Sequence, residues 1–430
     1  MKLCRSMVFL LLTMAAVLIF AQGVFAMQPR PNDSKTINVK KQETQPIIRS
    51  QAVLQKEPQS STGFVFYVYD FYDAAKTDSQ VIADCLKFCS VFKERVIVFD
   101  RKDWHIDEAI LLPSNTTVII DGCTIKQNNG VFDNVFRGNN LAINPDDPYG
   151  YPLSISDLSN IKILGKNGAK ITGCDVNKKA FHPALNNMQD MVGDYWGWRT
   201  LQVSLTKCDG FEVGGIEFTQ TRCWALSFDK CVNGYVHDLS ITSNVKNGDG
   251  VDFRAGCHNC RVENITGYTS DDSVACTALP GSSKYPSGNY IYPMEPSRFL
   301  NPTLNPRDLD IHDISIDGIY TGGNHHSVIC LASGGLRVYN INITNIEEDT
   351  HGSRESTVRI YTGYGSGYVD NDLSNIRVNN VISKIAGFAI LCNTKVDNIW
   401  FNKIIQKNKA GKLSNISNPD GITITNSCLR

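Results

Sequence analysis

From about residue 155 to the C-terminus the chain keeps repeating one phrase: an apolar residue, two mostly polar ones, then another apolar residue. It occurs as Val213-x-x-Ile216, Val236-x-x-Leu239, Val262-x-x-Ile265, Ile311-x-x-Ile314, Val338-x-x-Ile341, Val378-x-x-Val381 and Phe401-x-x-Ile404. Successive steps are 23, 26, 49, 27, 40 and 23 residues. The short steps suit one turn of a β-solenoid, and the two long ones predict inserted loops or an extra coil. Asp238, Asn264, Asp313, Asn340 and Asn380 stand just before the second apolar residue, so a ladder of stacked turn side chains is expected. A second phrase lies between: Leu226-Ser227-Phe228, Val251-Asp252-Phe253, Val274-Ala275-Cys276, Val328-Ile329-Cys330 and Val358-Arg359-Ile360. Its first and third residues point inward and its middle residue outward. Short β-branched strands separated by Gly, Asn and Asp, with little helical periodicity, predict an all-β, right-handed parallel β-helix.

The ends depart from this pattern. Residues 1–26 read as a signal peptide: Lys2 and Arg5, an apolar run from Met7 to Ala21, then Val24-Phe25-Ala26 as the cleavage pattern. The expectation is a secreted or periplasmic protein, with no membrane association after cleavage. Residues 27–62 are rich in Pro, Lys and Gln and read as a flexible linker. The β-helix is expected over 63–430. Val81, Ile82, Cys85, Leu86, Cys89 and Phe92 follow helical spacing, with Asp78 as N-cap, and predict a helix over 79–92. Laid across the first coil, it would cover the open N-terminal end of the solenoid.

Composition narrows the partners. The 430 residues carry 42 Lys+Arg against 43 Asp+Glu with no basic block, which argues against nucleic acid. Fourteen cysteines, one of them in the signal, are scattered rather than clustered. Most occupy inward strand positions, where a thiol acts as a small hydrophobe, so at most two or three disulfides are expected. Cys257 and Cys260 have metal-ligand spacing, but no second such pair follows, and a tight turn is the simpler reading.

The chemistry lies in register with the second phrase. Asp249 stands two residues before Val251, Asp272 two before Val274, and His326 two before Val328, while Arg359 directly follows Val358. Equivalent residues on successive coils stack about 4.8 Å apart. Asp249, Asp271, Asp272, a histidine and an arginine should therefore converge on one face. Like charges at that spacing cost free energy and raise a carboxyl pKa, a cost that folding alone does not require.

Asn247-Gly248-Asp249-Gly250, Ser270-Asp271-Asp272-Ser273, His325-His326-Ser327 and Val358-Arg359-Ile360-Tyr361 resemble the four ordered motifs of glycoside hydrolase family 28, the polygalacturonases and related pectin-cleaving enzymes. That family folds as a right-handed parallel β-helix, and its usual motif forms are NTDG, GDD, GHG and RIK. The resemblance implies inverting hydrolysis of a plant or pectin-like polysaccharide, without cofactor or metal. Asp271 would be the general acid, Asp249 and Asp272 would hold and deprotonate water, and His326 would tune the acids. Arg359, Tyr361, His325 and the outward-facing Asp252 would bind the sugar. Tyr361 stands where the family has the Lys that helps grip a uronate, so a neutral or branched substrate is expected. An insertion from Leu279 to Pro306 is expected to wall the cleft, and the aromatics of 194–198 and 361–364 could stack on sugars. Two rivals share the fold: a polysaccharide lyase, and a non-catalytic carbohydrate-binding β-helix that would need no stacked acids.

Overall fold

A computed structural model describes residues 63–144, 146, 152–182, 185–193, 196–279, 305–364 and 367–430. The expected signal peptide, linker and most of the 279–306 insertion lie outside them. Strands dominate, and nearly all pair in parallel. Two long sheets run through the described residues as a right-handed parallel β-helix. One is ten-stranded and contains every example of the second phrase.

The helix α1 spans Asp78–Cys89. Thr77, not Asp78, is its N-cap: the Thr77 hydroxyl accepts from Gln80 N while the Gln80 side chain accepts from Thr77 N, a reciprocal capping box. Asp78 instead accepts from Lys102 Nζ at 2.6 Å and His105 N at 2.8 Å, tying the helix start to the first coil. Val81, Ile82, Cys85 and Cys89 are buried and belong to the main core cluster.

In the ten-stranded sheet, five strands position the site: β1 Leu226–Asp229, β2 Val251–Arg254, β3 Val274–Ala278, β4 His326–Ala332 and β5 Ser356–Thr362. Leu226, Val251, Val274, Val328 and Val358 are Cα partners in turn, as are Phe253, Cys276, Cys330 and Ile360. All of these are fully buried. Phe211, Phe228 and Phe253 stack in the buried interior with centroids 4.4 and 5.6 Å apart. Period two in the sequence thus becomes columns of identical inward positions.

The turn ladder splits in two. Val262 pairs with Ile316 and Cys260 with Ile314, so Ile311-x-x-Ile314 sits one bend earlier than Val262-x-x-Ile265. Asn340 therefore donates to Asp313 at 3.0 Å, and Asn264 to Asp238 at 3.0 Å, in separate columns. Asn380 meets Asn345 at 2.6 Å rather than Asn340. All these residues have φ between 52° and 62°, the left-handed conformation that Asn and Asp tolerate best among side-chain-bearing residues. The phrase recurs on both sides of a bend, which is why one column was expected.

The thirteen cysteines among the described residues are all free thiols, twelve of them buried. Cys257 Sγ donates to Phe228 O at 3.2 Å and Cys260 Sγ to His258 O at 3.2 Å, so this pair serves the turn and the core.

Candidate active site

The turns entering β2, β3, β4 and β5 lie side by side because their strands are in register. At two residues before the aligned valines stand Asp249, Asp272, His326 and Ser356. One residue earlier stand Gly248, Asp271, His325 and Glu355. Asn247 at φ 55° and Gly248 shape the first turn, and a Cβ at Gly248 would lie 2.5 Å from Ser270 Oγ and 2.7 Å from Val245 O. Close approach between coils requires glycine there. Gly250 N donates to Asp272 O at 2.9 Å and Ser273 N to His326 O at 3.0 Å, locking the three turns together.

This brings Asp249, Asp271 and Asp272 together, with a carboxylate oxygen from each within 4.8 Å of the others. His325 Nδ1 donates to Asp271 Oδ1 at 2.8 Å and lies 3.6 Å from Asp272 Oδ1. His326, buried, shares a 2.8 Å hydrogen bond through Nδ1 with Ser356 Oγ, and its ring centroid lies 4.5 Å from that of His325. Arg359 extends outward from β5; its Nη1 donates to Glu355 Oε1 at 3.3 Å and its guanidinium lies 4.5 Å from the Tyr361 ring centroid.

The electrostatics follow from burial and crowding. Burial first, then the charges of Asp252, Asp271 and Asp272, holds the Asp249 carboxyl well above the usual carboxylate range. Burial likewise raises Asp252, with Arg254 opposing the rise and Asp272 and Asp271 adding to it. The Asp272 carboxyl is pushed up to about 6 by burial, held back by His325 and driven further by Asp271. The bond to Asp271 and the nearness of Asp272 raise His325 to about 10, so it is a cation at neutral pH. Burial and the neighbouring cations His325, Arg359 and Arg354 keep His326 neutral. At neutral pH the cluster thus holds protonated and ionised groups side by side, the condition for donating one proton and accepting another.

Asp252 departs from its expected role. It points outward, as parity dictates, yet it is fully buried beside Asp249 and Arg254, and so it helps raise the Asp249 carboxyl rather than facing a sugar. His325 holds Asp271 and leaves half of its side chain exposed. Trp196 and Trp198 are buried in separate small apolar clusters, which removes them as sugar platforms. Three charged residues escaped the motif reading. Arg354 is buried and donates to Ser273 Oγ at 2.9 Å and Thr321 Oγ1 at 3.1 Å behind the acids. Arg254 lies 4.6 Å from the Trp224 ring centroid and steadies Asp249 and Asp252. Glu355 accepts from Arg359 and lies 3.6 Å from His326. Its position three residues before Val358 was readable as the continuation of the Asp271–His325 register.

Two donor groups among the described residues are compact enough for a cation: Asp249, Asp271 and Asp272, and Asp272, His325 and His326. In the second group the His325 proton is held on Asp271 at 2.8 Å and would have to leave before that nitrogen could bind a metal.

No protein-family model matches the sequence, and no curated protein matches it. Solved structures do. A polygalacturonase from Erwinia carotovora ssp. carotovora superposes with a TM-score of 0.57 at 15% identity, covering 89% of this chain and 96% of that one. An endo-xylogalacturonan hydrolase from Aspergillus tubingensis gives 0.56 at 14% identity, covering 83% and 90%. A tailspike protein mutant of E. coli bacteriophage HK620, in complex with pentasaccharide, gives 0.52 at 13% identity, covering 84% of this chain and 65% of that one. At these identities the likeness establishes a shared fold: the chain is a polygalacturonase-like parallel β-helix.

Proposed function

We propose that the protein is an exported glycoside hydrolase acting on a plant or pectin-like polysaccharide or oligosaccharide. The observation that carries this reading is the cluster of Asp249, Asp271 and Asp272 within 4.8 Å, with buried members whose pKa values are raised. Asp271 is the proton donor to the glycosidic oxygen, because its side chain is 21% exposed against 11% for Asp272. Asp249 and Asp272 are recessed and hold the attacking water. Two oxygens within 4.8 Å can both touch one water, since each contact needs about 2.7 Å. His325, an imidazolium 2.8 Å from Asp271, carries the proton in the resting site and passes it through Asp271 to the leaving oxygen, so donation ends with a neutral imidazole and an ionised Asp271.

The facing oxygens of the three acids lie within 4.8 Å of one another, whereas the carboxyl groups of a typical inverting pair stand roughly 6.5–9.5 Å apart. A recessed base that works through water, rather than a carboxylate reaching the sugar itself, still favours inversion. NMR of the first-formed anomer tests this point: the opposite anomer to the substrate linkage supports it, and the same anomer overturns it.

The second reading, a carbohydrate-binding β-helix without catalysis, is favoured by the fold shared with the pentasaccharide-bound tailspike. Product analysis on plant and algal polysaccharides separates the readings. A hydrolase releases new reducing ends, a lyase releases unsaturated products that absorb in the ultraviolet, and a binding protein releases neither.

A further inference from the structure

Glu355 occupies the same register as Asp271 and His325, on the next coil, and its backbone N–H donates to His325 O at 3.0 Å. Its oxygens take different partners. Oε1 accepts from Arg359 Nη1 at 3.3 Å, and Oε2 lies 3.6 Å from His326 Nε2. Arg359 is otherwise enclosed: its side chain is 11% exposed, against 49% for Glu355, and its guanidinium lies by Tyr361. Along the outward column that runs from Asp252 to Arg359, the intervening residues are Ala275 and Ile329, both apolar and buried. The cation that a sugar carboxylate would seek already has a carboxylate, supplied by the protein itself.

We propose that Glu355 is a specificity-determining residue: it stands on Arg359 where a sugar carboxylate would bind, so the subsite beside Arg359 accepts a neutral sugar unit and rejects a uronate. The inference rests on reading the groove as a carbohydrate site. A uronate entering there must displace Glu355 from Arg359 and leave two like charges side by side. A neutral sugar meets no such penalty, and its hydroxyls can accept from Arg359 or donate to Glu355. Half-exposed Glu355 can be changed to Gln without emptying the core, so the carboxylate charge can be removed while the side-chain shape is kept.

The test is a set of binding titrations at pH 7, followed by NMR, with two matched pairs: galactose and galacturonate, glucose and glucuronate. The proteins are the full chain, Glu355→Gln, and Glu355→Gln combined with Arg359→Ala. The unaltered protein should prefer the neutral member of at least one pair. Glu355→Gln should tighten the uronate of that pair about tenfold or more, with little change for the neutral sugar, and Arg359→Ala should cancel the gain. The proposal is overturned by unchanged uronate affinity in Glu355→Gln, by a gain that survives loss of Arg359, or by no binding of any of the four sugars. None of these readouts needs turnover. A protein that binds as described but releases no product keeps this inference and loses the hydrolase reading, whereas hydrolysis with unaltered discrimination in Glu355→Gln does the reverse.

Discussion

Replacing Asp272 by Asn should make the protein more stable at pH 8, while leaving it nearly unchanged at pH 4. The Asp272 carboxyl rises from an ordinary 3.8 to about 6 because it is buried next to Asp271. That is a rise of about two units, and each unit is worth 1.36 kcal/mol between protonation states, so ionised Asp272 costs the fold about 3 kcal/mol. The sign follows from proton binding. Below pH 4 the folded and unfolded carboxyls are both protonated, and the full stability is present. As pH rises from 4 to 6 the unfolded chain ionises freely while the folded one resists, and stability is lost until the folded pKa is passed. Asn does not titrate, so its advantage opens over the same window and stays constant above it. Loss of one of the two carboxylates beside His325 subtracts part of the gain. Urea unfolding of both proteins at pH 4 and pH 8, with unchanged slopes, measures the difference. An advantage of the Asp272→Asn variant that is equal at the two pH values, or that turns into a deficit at pH 8, would refute the claim that the acid cluster is held against its own repulsion.

The same raised carboxyl sets a kinetic expectation: if Asp272 must be ionised to hold and deprotonate water, kcat/KM should fall below about pH 6, and a fall centred near 4 would contradict that role. The turn ladder is testable through Asn340, which has φ 56° and donates to Asp313. Asn340→Ala should cost about 1–2 kcal/mol in chemical unfolding, and Asn340→Gly less, because glycine keeps the left-handed turn and loses only the hydrogen bond. Equal losses in the two variants would mean that the backbone conformation contributes nothing.

The columns of the β-helix were legible because Val251, Val274, Val328 and Val358 are all inward and β-branched, and alternation fixed which neighbours face out. The acid cluster was legible for the same reason, since Asp249 and Asp272 keep a constant offset from those valines. Burial of outward residues was not legible. Parity places Asp252 outside the coil, but only the folded chain reveals that Asp249 and Arg254 accompany it out of solvent. The single ladder failed because a V-x-x-I phrase looks alike on either side of a bend. The helix start moved by one residue because Thr77 with Gln80 makes a stronger cap than Asp78, whose carboxylate is committed to Lys102 and His105. Arg354 and Glu355 stand in the turn ahead of the Val-Arg-Ile-Tyr segment, outside any motif. Glu355 was within reach of the register argument, but Arg354 acts through a fold back onto Ser273 and Thr321 that no local pattern encodes.

Hydrolysis driven by the acid cluster is tested most simply by the release of reducing ends from a panel of plant and algal polysaccharides. The protein and its Asp271→Asn variant are compared, with matched circular dichroism spectra. Release by the unaltered protein is expected on at least one substrate, with a loss of about 10²–10⁴-fold in the variant, since the leaving oxygen would have no proton donor. Undiminished release by Asp271→Asn, or no release by the unaltered protein from any member of the panel, would contradict it.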